Sequence, residues 1–187
     1  LCRREGIKAI VLGSYIKAGE TFATDVKVLD VHSKKLLRSS SSKGQGVSSI
    51  INQQIDELTK EISAGIGRTG KYVESAEMPI ADVTTRSMEA YRYYVEGKEA
   101  LRKYYYNDAR IAFEKAVALD PDFAMAYFNL AYVNYQLEFI EARETAIKRA
   151  KALSLKTTEK ERLYIEVDYA WIVEKDSAKC DRILRQI

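Results

Sequence analysis

The chain has 187 residues, 47% hydrophobic and 30% charged, enough for one large domain or two small ones with a real core. Thirty basic residues against 27 acidic leave +3, too even a balance for a dedicated nucleic-acid binder, and Arg3-Arg4 and Lys34-Lys35 are isolated pairs. The longest apolar run falls well short of the ~20 residues that span a bilayer, so no direct membrane insertion is expected.

Residues 7 to about 43 read as strands. Ile7 to Ile16 is β-rich and closes on Lys17-Ala18-Gly19-Glu20, a turn in which glycine supplies φ > 0. The next run alternates, with Phe22, Thr24, Val26 and Val28 on one face and Ala23, Asp25 and Lys27 on the other. A reversal at Asp30 to Lys34 leads to a third strand from Leu36 to Ser42. Such a meander buries one face and needs a cover. Ile51, Ile55, Leu58 and Ile62 recur at helical spacing and supply it, with Ser48 or Ser49 as the cap and Gly65 and Gly67 at the end. Residues 69–85 read as a linker with Gly70 and Pro79.

From Ser87 onward the pattern is helical, and every tyrosine except Tyr15 and Tyr72 lies there. Tyr93, Gly97, Ala100, Ala109, Phe113, Ala116 and Pro121 fall in one register, and Tyr127, Leu130, Ala131 and Ala150 repeat it 34 residues later. Gly97 and Ala109 allow two helices to approach closely while Phe113 fills the space between. Asn107 or Asp108 is placed to cap the second helix and Asp122 the next one, after Pro121 has ended the ladder. Arg143 stands where a small residue is expected, with Ala142 one place earlier, so a slip of one residue is an alternative register. A third unit opens with the capping-box pattern Thr158 to Glu161, puts Tyr164 and Trp171 at large positions, and puts Cys180, Leu184 and Ile187 in its second helix.

Residues 86–187 thus resemble about two and a half tetratricopeptide repeats, with 34 residues from Tyr93 to Tyr127 and 37 from Tyr127 to Tyr164. The resemblance implies a solenoid of helical hairpins whose first helices line a concave groove. By that geometry Tyr94, Lys98, Phe128, Tyr132, Gln136, Ile165 and Tyr169 face a protein or peptide partner. Lys98 and Asn129 alone do not make the Lys/Asn cluster that clamps a terminal carboxylate. The competing reading of these aromatics is that they pack within and between repeats.

Residues 1–68 are similar to part of a TolB-like amino-terminal domain: Arg4-Glu5-Gly6, a strand running to Gly13-Ser14-Tyr15, the turn Ala18-Gly19-Glu20, and a strand closing on Asp30. His32-Ser33-Lys34 replaces the usual Thr-Gly turn and Arg38-Ser39 the usual aromatic, and the domain's first strand and helix are not represented. The pair of resemblances implies a sensory or assembly region of a bacterial multidomain signalling protein. Such proteins carry a serine/threonine kinase, winged-helix regulator or cyclase, and the region is a soluble part of a membrane-attached protein, the periplasm included. The fold expected is therefore an α+β region of antiparallel strands and one helix, followed by an all-α solenoid.

No catalytic residue, metal site or cofactor emerges. His32 has no partners that would make it a base or ligand. Gly13-Ser14 lacks the glycines of a nucleophile elbow, and no Lys follows Gly44-Gln45-Gly46 at the offset a phosphate cradle needs. Ser39 to Ser42 reads as a polar strand edge. Two rivals to partner binding remain: a homodimer or architectural assembly through the end at Ile187, and an enzyme housed in the first half. The chain opens on Leu1 and ends at Ile187 in helical pattern, so it reads as a piece of a longer protein, with a kinase or cyclase domain able to lie outside it.

Overall fold

A computed structural model describes residues 7–65 and 79–187, and the chain divides into two compact units, Leu1–Ala81 and Asp82–Ile187. Cys2, Gly67, Gly70, Tyr72 and most of the expected linker lie outside the described residues.

The first unit is a three-stranded antiparallel sheet in the order β1 (Ala9–Ala18), β2 (Thr21–Asp30), β3 (Leu36–Gln45). Gly19 turns at φ 61° between the first two strands, and Asp30 Oδ1 accepts from Ser33 N and Ser33 Oγ to close the next reversal. The alternation in β2 becomes a buried face, with Phe22 and Val28 nearly inaccessible. β3 runs through Gln45, and Gly46 follows it at φ 70°.

A π-helical turn, Ile50–Gln54, leads into α1 (Ile55–Gly65), which lies on β3, while the π turn touches both β2 and β3. Ile51 and Leu58 point into the sheet. The cover comes so near that a Cβ at Gly44 would collide with Ser49. Neither serine caps the helix as expected. Ser49 Oγ donates instead to Gly46 O at 2.7 Å and accepts from Gln54 Nε2 at 2.8 Å. Gln54 is fully buried; its Nε2 also donates to Phe22 O at 3.1 Å and its Oε1 accepts from Thr24 Oγ1 at 2.7 Å. Helix α2 (Ile80–Val83) occupies part of the expected linker, its Ile80 N donating to Asp56 Oδ1 at 3.0 Å.

The second unit is helical throughout its described elements: α3 (Met88–Arg102), α4 (Tyr106–Leu119), α5 (Ala124–Gln136), α6 (Ile140–Leu153), α7 (Glu159–Tyr169) and α8 (Ser177–Leu184). Each packs on its sequence neighbour. Ser87 Oγ caps α3 by accepting from Ala90 N at 3.1 Å, and Thr158 with Glu161 forms the expected capping box on α7. The shared register appears as shared burial: Gly97 and Ala131, Phe113 and Ile147, and Ala116 and Ala150 all lie in the core. Small residues bring the helices together, and the large one fills what is left.

Several local expectations give way to packing. The caps expected at Asn107 or Asp108 and at Asp122 do not form, because α4 starts after Tyr105 and α5 after Phe123, with no side-chain cap on either. Asp122 instead meets Lys156 Nζ at 2.6 Å. No register slip occurs at Arg143. Ala142 is exposed and Arg143 turns inward, its guanidinium leaving over the Tyr135 ring at 4.4 Å, so a slim alkyl stem takes the small-residue place. In the last pair Ile165 and Ile172 are buried, whereas Tyr164 and Trp171 are exposed. A 3₁₀ turn, Ser154–Lys156, resets the start of α7, and a π-helical turn, Ala170–Glu174, rotates the chain as it enters α8. Of the three residues assigned to the last helix, Cys180 is buried, Leu184 is exposed within α8 and Ile187 is exposed beyond it.

Candidate partner-binding face

One turn recurs along the helical unit. Tyr104, Glu138 and Lys175 are left-handed, at φ 63°, 62° and 58°, and stand 34 and 37 residues apart. The residues after them, Tyr105 and Phe139, share φ/ψ of −85°/71° and −84°/76°. The first two turns are closed by the same type of bond, Tyr105 N to Ala100 O at 2.9 Å and Phe139 N to Asn134 O at 2.8 Å, and the third by one a residue wider, Asp176 N to Ala170 O at 3.1 Å. Two like-turned helix pairs and a wider third result, with α3, α5 and α7 as their first helices.

Tyr94 of α3 packs against α4 and the start of α5. Its ring lies 4.8 Å from that of Phe123 and 5.9 Å from that of Phe113, and its hydroxyl accepts from Asn129 Nδ2 of α5 at 3.4 Å. Asn129 Nδ2 also donates to Met125 O at 2.7 Å, which orients the amide. Burial, helped by the negative charge of Glu161 on α7 and partly offset by the Asn129 bond, pushes the Tyr94 hydroxyl up to about 12. Tyr94 therefore ties α3 to α4 and α5 more than it offers itself to a ligand.

The other groove residues divide by depth. Lys98 is exposed, and Tyr132, in the same register 34 residues on, is 44% exposed. Phe128 and Tyr169 are partly buried against the core, with Lys151 Nζ 5.9 Å above the Tyr169 ring, and Gln136 is half-buried. Ile165 is fully buried, so its expected place in the groove is corrected: it belongs to the core. Behind this face Asp168 is raised by burial, an effect Arg143 partly offsets. Tyr91, one helical turn before Tyr94, and Tyr135, one turn after Tyr132, are exposed aromatics that the repeat register alone did not single out. Their spacing of three from Tyr94 and Tyr132 was the available signal.

Two open hollows lie elsewhere, one of about 390 Å³ over Val95, Lys103 and Tyr105, the other of about 230 Å³ over Tyr93, Asp108 and Ile111. Neither is lined by the groove residues. Among the described residues no group of three or more His, Cys, Asp or Glu could hold a metal ion, and no helix is long and apolar enough to cross a membrane. No protein-family model matches the chain, and no curated protein matches it.

Proposed function

We propose that the helical unit is a short tetratricopeptide-type solenoid that binds a protein or peptide, without catalysis, on the face shared by α3, α5 and α7. The observation that carries this is the left-handed turn recurring at Tyr104, Glu138 and Lys175, which supports stacked hairpins with their first helices on one side. Lys98 and Tyr132 supply the accessible charge and rigid aromatic area such a face uses. Phe128, Tyr169 and Gln136 form its floor. In this reading the unit is the interaction or sensory region of a bacterial multidomain signalling protein, attached to a partial TolB-like region.

The test is retention of a partner from extract of the source cell by the immobilised protein and by a Lys98→Ala/Tyr132→Ala variant. A specific partner held by the wild type and lost by the variant, with helicity unchanged, supports the reading. Equal retention by both defeats it. An architectural role at the carboxy-terminal end is the second reading, supported by the exposure of Trp171, Leu184 and Ile187. Loss of self-association on Trp171→Glu would favour it.

A further inference from the structure

The two edges of the sheet are built differently. The outer edge, β3, carries Ser39 to Lys43, polar residues of the kind that discourage strand addition. β1 is the opposite. Val11 and Tyr15 lie on the helix-covered face, opposite Val28 and Thr24, and Ile10, Leu12 and Ile16 lie on the other. A strand apolar on both faces is the pattern of a sheet interior. Yet among the described residues β1 pairs only with β2, and Val11, Tyr15 and Ile16 are 60%, 68% and 63% exposed.

The direction of its free hydrogen bonds is also defined. Val31 N donates to Lys8 O at 2.9 Å, so the even-numbered residues of β1 bond to β2. The odd-numbered ones, Ala9 through Lys17, turn their N–H and C=O groups to the open edge.

We propose that this edge pairs antiparallel with β1 of a second copy of the chain, about a two-fold axis at Gly13, joining two sheets into one of six strands. A two-fold axis normal to the sheet keeps like faces together and sets odd residues opposite odd ones, so each such pair exchanges both backbone bonds. With Gly13 at the axis, Val11 faces the second copy's Tyr15 and Ile10 faces the second copy's Ile16. Both are favourable cross-strand pairs. Charge agrees with this register. Lys17 is the strand's one ion and falls opposite the second copy's Ala9, whose neighbour on β2 is Asp30. Two strand spacings, about 10 Å, bring that ammonium toward that carboxylate. Parallel pairing in register would instead set Lys17 against Lys17.

Sedimentation of the whole chain across micromolar concentrations, with hydrogen exchange on the same samples, tests this. The expected particle has twice the mass of the 21.3 kDa chain, with the Val11, Gly13 and Tyr15 amides protected. Val11→Lys with Tyr15→Lys sets lysine against lysine at both outer pairs and yields monomer with unchanged helicity. Val11→Glu with Tyr15→Lys sets glutamate against lysine and restores the dimer. A wild-type monomer with fast exchange at these amides overturns the proposal. So does a dimer indifferent to the lysine pair and broken by Trp171→Glu, or a glutamate–lysine variant that stays monomeric while folded.

Discussion

Gly97 and Phe113 cannot both carry more atoms: a Cβ added at Gly97 would stand 2.6 Å from Phe113 Cε1, inside the ring's contact distance. Phe113 is fully buried and has no room to retreat. Gly97→Ala should therefore destabilise the helical unit by about 1–2 kcal/mol, the overpacking cost less the gain in helix propensity. Chemical denaturation measures it, and the cost of Phe113→Leu should be smaller when Gly97→Ala is already present.

The Tyr94 hydroxyl predicts alkaline sensitivity. Its folded value, about 12, lies above the ordinary 10.0, so the folded state favours the neutral form. The associated stability is complete below pH 10.0 and disappears as pH rises through about 12. Two units correspond to about 2–3 kcal/mol. Tyr94→Phe should lack this part of the alkaline loss in denaturation series between those limits.

Glu138 holds a left-handed turn with a full side chain, at φ 62°. That conformation costs a non-glycine residue about 1–2 kcal/mol, and glycine's greater unfolded entropy returns about 0.5–1. Glu138→Gly should stabilise the unit by about 0.5–1 kcal/mol, visible as a rise in Tm. A fall would show that the Glu138 side chain contributes a contact of its own.

Gln54 ties the cover to the sheet through Thr24, Phe22 O and Ser49. Gln54→Met keeps the volume and removes every bond, taking from Thr24 Oγ1 and Phe22 O their amide partner while Ser49 Oγ keeps Gly46 O. The expected loss is about 1–3 kcal/mol in the first unit, and faster exchange at β2 amides should accompany it.

Period and residue type reached far into this chain. Alternation from Phe22 to Val28 marked the covered face of β2, and the small residues Gly97, Ala109 and Ala116 marked the close helix pair around Phe113. Those features are local, since periods of 2 and 3.6 place side chains on a face whatever lies opposite. The candidate face was legible as a set of positions but not in depth: Lys98 and Tyr132 are open, while Tyr94 and Ile165 are drawn inward.

What the sequence alone determined was the strand meander with its covering helix and the 34-residue register of the helices after Ser87. Only the tertiary structure decided which side chain fills each position: Ile165 instead of Tyr164, Arg143 in the place of a small residue, and Gln54 as the buried anchor. The reason is that a repeat specifies a volume to be filled, whereas the neighbouring helix start, set by the 3₁₀ and π turns, fixes which residue arrives there. β1 shows the same limit, because an apolar strand reads as interior and only the sheet order reveals its open edge.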